Sequence, residues 1–212
     1  MIVVGSLSSL TVGGTFALLN SQESNALSFV SSGTLTFGNV VNAGTSCFSY
    51  GAGSTANVNS ACDALFTSAT QNYPGVPVFA KVTITNNGSL DASDLSVYMP
   101  SCTNTVTPGA PAPGGGDPCA AGGAELYIQE TNSLWSPQTC WFLGSSPCPF
   151  ATSSLNLFSA NASTPATALD LGAGPAAGKS RYFIIGMELP SNASNTLQGQ
   201  AAQFGLTWHI TS

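Results

Sequence analysis

Apolar and polar residues alternate in short runs along most of this chain. Gly, Pro, Asn and Ser interrupt the runs every ten residues or so, and no stretch has convincing helical periodicity. Strict alternation is typical of a strand with one buried face, and closely spaced turn residues limit each strand to a few residues. The pattern therefore predicts an all-β fold with many short strands, as in a sandwich or a barrel.

The clearest predicted strand covers residues 78–85, and a second one returns along residues 94–99. The core-facing positions of the two strands are Val78, Ala80, Val82, Ile84, Leu95, Val97 and Met99. Asn86-Asn87-Gly88-Ser89 separates the strands, and Asn-Gly suits the positive φ angles of a tight hairpin. We therefore expect these two strands to pair with each other.

Further strands are predicted near both ends of the chain. Their inward positions are Leu27, Phe29, Leu35, Phe37, Phe183, Ile185, Met187, Leu189, Phe204, Leu206, Trp208 and Ile210. The middle segments 126–128 and 134–143 are weaker candidates.

The domain organisation that we expect is an N-terminal segment, residues 1–22, followed by a single β domain, residues 23–212. Residues near 43–61 and 101–123 are rich in Gly, Pro, Ser and Asn, so they are predicted to be loop insertions. No segment has the composition of a linker between two cores.

Charged side chains are sparse: three Lys or Arg against nine Asp or Glu, with 43% hydrophobic residues and a formal net charge of −6. A nucleic-acid-binding protein needs a stripe of basic residues, so this class is excluded. A disordered chain would have less apolar content. The composition suits an exported protein with a neutral hydroxyl- and amide-rich surface that packs against copies of itself or carries glycans.

The cysteines are predicted to form disulfides between sequence neighbours: Cys47–Cys62, Cys102–Cys119 and Cys140–Cys148. Each bridge would close a loose Gly- and Ser-rich stretch, which the chain-entropy model values at roughly 3 kcal/mol. There is no CxxC pair and only one histidine, so we expect no metal site and no cofactor. Buried free thiols are the alternative.

Few residues are candidates for catalysis. His209 is the single histidine, predicted on the outer face of the last strand, and Asp91 and Asp94 lie close in sequence. We expect all three to be ordinary surface residues and no catalytic site to be present. Three N-x-S sequons at predicted turns, Asn87, Asn161 and Asn192, are candidate N-glycosylation sites.

The first nineteen residues are uncharged, apolar and rich in Gly and Ser. Their large apolar side chains must be covered: Ile2, Val4, Leu7, Leu10, Val12, Phe16, Leu18 and Leu19. The segment could be a signal remnant, a membrane anchor or a strand of its own sheet. Its Gly, Ser and Thr content makes it too polar for stable membrane insertion.

Three blocks of sequence resemble the TasA/camelysin-like biofilm fibre subunits and the related archaeal bundling pilins. At the C-terminal end the block contains Glu188-Leu189-Pro190, Asn195, Gln198-Gly199 and Leu206-x-Trp208. The central block is residues 76–99, with its Asn-x-Gly-Ser-Leu turn, and the front block is residues 13–37. The predicted disulfide loops and the sparse charge are departures from the family pattern.

The resemblance implies a jelly-roll-like β-sandwich that polymerises by donor-strand complementation. The N-terminal segment of one subunit would fill a groove in the next, giving a secreted structural filament of identical copies, a pilus or biofilm fibre that could bundle with its neighbours. The alternative is a secreted adhesin or carbohydrate-binding module that works as a monomer, with Tyr98, Trp135 and Trp141 as a stacking platform. A hydrolase is disfavoured because titratable side chains are few.

Overall fold

The computed structural model describes residues 33–49, 62–66, 73–107, 114–142 and 154–212. The chain divides into two units at the Gly33–Thr34 junction, and every described strand and helix belongs to the second unit. Leu27 and Phe29, which were predicted to open the domain, lie outside the described residues.

The larger of the described sheets has six strands, all antiparallel, in the order β2-β1-β3-β9-β6-β7. Its strands are β1 (Phe37–Val41), β2 (Cys47–Phe48), β3 (Val78–Asn86), β6 (Glu125–Thr131), β7 (Pro137–Cys140) and β9 (Ser180–Glu188). The two nine-residue strands β3 and β9 lie at its centre and form the longest ladder of the fold.

A three-stranded and a two-stranded antiparallel sheet complete the described fold. The first has the order β11-β4-β8, with β4 (Asp94–Tyr98), β8 (Leu169–Asp170) and β11 (Thr207–Thr211). The second pairs β5 (Cys102–Val106) with β10 (Gln200–Phe204). The fold is thus mostly β, as the sequence pattern predicts.

The two smaller sheets form one bent ribbon, because β4 continues into β5 and β10 continues into β11. Tyr98 lies opposite Thr207, and Cys102 lies opposite Phe204. Three residues connect β4 to β5, whereas two connect β10 to β11. The register of the ribbon therefore shifts by one residue at the bend. Pro100 lies in the longer connection, where its missing N–H disturbs no ladder.

The core lies between the six-stranded and the three-stranded sheet, which gives a sandwich-like arrangement. The alternation predicted from sequence is confirmed for β3, β4 and β9. Of the predicted inward side chains, Val78 and Met187 are half-buried, and the others of these strands are fully buried together with Met99, which follows β4: Ala80, Val82, Ile84, Leu95, Val97, Phe183 and Ile185. These residues belong to one continuous hydrophobic cluster with Leu126, Ile128 and Trp208.

The expected hairpin between β3 and β4 is wrong, because these strands belong to different sheets. Asn86 is fully buried, and its Nδ2 donates to the carbonyl oxygens of Leu90 (2.8 Å) and Pro175 (2.9 Å). Its Oδ1 accepts from the backbone N–H of Gly88 at 2.9 Å. These bonds direct the backbone away from β3. Gly88 packs against the backbone of Thr34 and does not have the positive φ of a tight hairpin turn.

Two further elements differ from the sequence prediction. The insertion predicted at 101–123 begins with strand β5, which is largely exposed and has a single strand partner among the described residues. The second is a short helix, α1 (Leu155–Asn161). Its two turns are too few to show helical periodicity in the sequence. Ser154 caps it by accepting from the N–H of Leu157, and Leu155 and Phe158 are buried in the core.

Two disulfides tie strands to neighbouring loops, with the pairings expected from sequence. Cys47 of β2 bonds Cys62, and Cys102 of β5 bonds Cys119. Cys140 is also disulfide-bonded, and Cys148 lies outside the described residues.

Candidate functional site: the open edge of β10 and β11

The direction of the β11 backbone follows from the hydrogen bonds of β4. Leu95 donates to the carbonyl oxygen of Gly172 (2.9 Å) and accepts from the N–H of Leu171 (2.8 Å), so its backbone faces β8. Backbone groups alternate between the two sides of a strand. The next residues along β4 therefore face β11, and the residues of β11 that face them are Thr207, His209 and Thr211.

Trp208 and Ile210 consequently direct their N–H and C=O groups away from β4. Within the part of the chain that the structure describes, no strand lies on this side of β11. Unpaired edge groups of this kind are a template for another strand. The edge of β11 is thus chemically able to accept a strand.

The same edge continues along β10. Thr107 donates to the carbonyl oxygen of Gly199 at 2.8 Å, which fixes the alternation of this pair. Ala201 and Gln203 then face β5, and Gln200, Ala202 and Phe204 face away. Residues 200–211 make an edge of about 40 Å at ~3.3 Å per residue, and we call it the acceptor edge.

The apolar side chains along the acceptor edge are incompletely covered. Phe204, Leu206 and Ile210 pack against the core but are only half-buried. Trp208 is buried, with its ring 5.0 Å from that of Phe183. A neighbouring strand with alternating apolar residues would cover the exposed parts of these side chains, because strand side chains alternate between faces.

The residues predicted to supply such a strand are Ile2, Val4, Leu7, Leu10, Val12, Phe16, Leu18 and Leu19. All eight lie outside the described residues, so their role stays a prediction.

All three predicted sequon asparagines are exposed. Asn87 directly follows β3, Asn161 ends α1, and Asn192 lies in the turn after β9. The Nδ2 of Asn161 donates to the carbonyl oxygen of Leu157 at 3.0 Å, an exposed contact that a modified side chain would give up. Glycosylation of these residues stays a prediction.

The aromatic residues expected to form a stacking platform are on different parts of the fold. Trp135 has a φ of 63° in the β6–β7 turn, and its ring contacts Tyr182 and the Nζ of Lys81 (4.8 Å). The Nε1 of Trp141 donates to Glu130, and Tyr98 lies on β4 of the smaller sheet. The structure does not bring the three rings together as one platform.

The structure pairs Asp94 with Asp170 rather than with Asp91. Burial raises the pKa of Asp94, and a hydrogen bond with Asp170 and the charge of Asp170 raise it further. Asp91 accepts instead from the N–H of Ala177 at 2.8 Å. Sequence reasoning missed the pair because Asp170 lies far along the chain, on β8.

His209 is opposite Ser96, and Ser96 is opposite Asp170 on its other side. A catalytic triad needs the histidine between the serine and the carboxylate, whereas here the serine is in the middle. Ser96 is also buried, with 5% of its surface exposed. The three residues therefore do not have the order or the access that the triad requires.

The described residues contain no helix long and apolar enough to cross a membrane. They also contain no cluster of three His, Cys, Asp or Glu side chains suited to a metal ion. The chain matches no protein-family model and has no significant sequence similarity to a curated protein.

Proposed function

We propose that this protein is the structural subunit of an extracellular filament, a pilus or biofilm fibre, built by strand addition. Residues 1–22 of one copy would lie along the acceptor edge of the next copy. The observation that carries the proposal is the outward direction of the backbone groups of Trp208 and Ile210, on an edge that no described strand covers. The jelly-roll-like topology belongs to the same proposal.

The energetics favour such an exchange. The N-terminal segment is rich in large apolar residues and has no charged side chain, so it gains from leaving water. Burial of five of these side chains would contribute roughly 8–15 kcal/mol at 1.5–3 kcal/mol each. This contribution is comparable to the estimated ~4–15 kcal/mol cost of association, and main-chain hydrogen bonds along the edge add to it.

The symmetry of the contact favours a filament over a closed dimer. The donated segment and the acceptor edge are different surfaces, so each copy offers one of each. A head-to-tail contact of this kind propagates unless its rotation closes a ring.

The covalent and surface chemistry fits an exported protein. Disulfides persist in oxidising compartments, and the structure has two between sequence neighbours. The three sequon asparagines are exposed, as N-linked glycans on an exported protein would require.

Deletion of residues 1–19 tests the proposal directly. Electron microscopy of the purified full chain should show regular filaments, and the truncated chain should remain monomeric. Addition of a peptide with the sequence of residues 1–19 should saturate the truncated chain at one peptide per subunit. Filaments of unchanged form from the truncated chain would refute the proposal.

A pair of proline variants tests which edge accepts the strand. Ile210→Pro removes an N–H that points away from β4, so the fold should survive and filament growth should stop. Val106→Pro is the matched control, because the N–H of Val106 points away from β10 at the opposite edge of the ribbon. Equal loss of filaments in both variants, with both folded, would contradict the assignment of the acceptor edge.

A further inference from the structure

Two pairs of carboxyl side chains lie across neighbouring strands, one pair in the six-stranded sheet and one in the three-stranded sheet. In the six-stranded sheet, Glu125 of β6 lies directly opposite Glu188 of β9. Side chains directly opposite in an antiparallel pair have Cβ atoms roughly 4.5–5.5 Å apart. Like charges at this separation oppose the pairing of the two strands.

The surroundings of Glu125 offer no cation. Both glutamates are half-buried, and the phenol of Tyr127 is the next titratable group on the same face of β6. Helix α1 begins beside Glu125 through a bridge to Ser154 and has no charged residue. Burial raises the pKa of Glu125, and the charge of Glu188 raises it further.

The second pair is Asp94 and Asp170 in the three-stranded sheet. Asp94 on β4 is two residues from Ser96, which faces Asp170 of β8, so the carboxyl groups of Asp94 and Asp170 lie on the same face of neighbouring strands. His209 of β11 is the one other titratable side chain that acts on Asp94, and its charge lowers the pKa of Asp94. Two carboxylates placed this way repel each other unless one of them is protonated.

Two of the few cations of the described chain are engaged elsewhere. Arg181 is paired with Glu130 at 2.6 Å, and Lys81 lies over the ring of Trp135. Within the described residues, no ion pair is formed by either carboxyl pair.

We propose that this fold is adapted to an acidic medium, in which protonation of the two carboxyl pairs relieves the repulsion between neighbouring strands. At higher pH the two carboxylates of each pair repel each other. The pairs Glu125–Glu188 and Asp94–Asp170 thus act as acid-strengthened contacts on two different sheets.

The pH dependence of stability expected from a raised carboxyl pKa agrees with this proposal. A carboxyl group whose pKa is higher in the folded protein than in the unfolded chain stabilises the fold below the unfolded value of about 4. That stabilisation is lost as the pH rises through the folded value. Water screens the half-exposed groups, so the effect of each pair is modest.

The small number of basic residues limits the usual penalty of low pH, since the described chain has one ion pair to lose, Arg181–Glu130. Acid unfolding is driven by lost ion pairs and by repulsion among the remaining positive charges. Here three Lys or Arg and one His are the only basic side chains in 212 residues. The positive charge left after all carboxyl groups are protonated is therefore small.

Thermal unfolding of the full chain as a function of pH tests the proposal. We expect the midpoint temperature to rise by roughly 2–4 °C between pH ~7 and pH ~3.5. In the double variant Asp94→Asn/Glu125→Gln, the midpoint temperature at neutral pH should be higher than in the wild type. The acid-induced rise should disappear, because a neutral amide can donate a hydrogen bond to the remaining carboxylate at either pH.

Asp117→Asn is the matched control. Asp117 Oδ1 accepts from the N–H of Cys119 at 2.8 Å, and an asparagine keeps that acceptor without belonging to either pair. The control should keep the acid-induced rise. A midpoint that is flat or falls on acidification, or a double variant with the same rise as the wild type, would overturn the proposal whether or not the protein forms filaments.

Discussion

Arg181 binds Glu130 with two parallel hydrogen bonds, from Nε to Oε1 at 2.7 Å and from Nη2 to Oε2 at 2.6 Å. The same guanidinium donates to the carbonyl oxygens of Leu171 (2.9 Å) and Ala173 (2.8 Å), in the segment that follows β8. A side chain of β9 thus joins β6 of the larger sheet to the smaller sheet. Arg181 therefore links the two layers of the sandwich-like fold.

Arg181→Met should lower the free energy of unfolding by about 3 kcal/mol, because it leaves Glu130 partly buried without its cation. Urea unfolding followed by tryptophan fluorescence measures the change. Lys81→Met is the control, since the ammonium of exposed Lys81 lies over the face of Trp135, and its loss should cost about 1 kcal/mol or less. An equal loss of unfolding free energy in the two variants would contradict the role of Arg181 in linking the two layers.

Asn86→Ala should destabilise the protein by about 2–3 kcal/mol, because it leaves the carbonyl oxygens of Leu90 and Pro175 without their shared donor. Chemical unfolding measures this cost. Asn87→Ala changes the exposed neighbour and should cost less than about 0.5 kcal/mol. If Asn86→Ala were equally mild, the buried amide would not determine the course of the chain between the two sheets.

Gly186→Ala should destabilise the six-stranded sheet, because a Cβ at this position would overlap the ring of Tyr127. We expect a cost of about 1–3 kcal/mol from the forced movement of the ring. In a Tyr127→Ala background the same substitution should cost far less. Gly115→Ala, where a Cβ meets nothing within 4 Å, is the control. An unchanged cost in the Tyr127→Ala background would show that the ring is not the obstacle.

Burial raises the pKa of Tyr127 to about 12. The neutral phenol therefore stabilises the fold below the unfolded value of about 10, and this stabilisation is lost as the pH rises from ~10 to ~12. Ultraviolet absorbance of tyrosinate should show one tyrosine that ionises after the others. The late step should vanish in Tyr127→Phe, and its persistence there would assign it to another tyrosine.

Alternation predicted the buried faces of β3, β4 and β9 correctly, because the face of a side chain depends only on its position within its own strand. It could not predict strand partners. Asn86-Asn87-Gly88 has the composition of a hairpin turn, yet the buried amide of Asn86 sends the chain to another sheet. That contact depends on Pro175, which is 89 residues away.

The acceptor edge was predictable only in part. The apolar positions Phe204, Leu206, Trp208 and Ile210 are visible in the sequence, but the side on which their backbone groups point depends on hydrogen bonds between β4 and β8. The carboxyl pairs were missed for the same reason. Asp94 and Asp170, like Glu125 and Glu188, become neighbours only when distant strands pair.

The pairing of β4 with β11 joins residues more than a hundred positions apart in the chain. Such long-range contacts form slowly and late, since the intervening chain must first be ordered. The edge formed by Trp208 and Ile210, which no described strand covers, is therefore expected to become ordered only when folding is nearly complete. In the proposed assembly, an incompletely folded subunit would lack an ordered edge, so strand addition would wait until the subunit has folded.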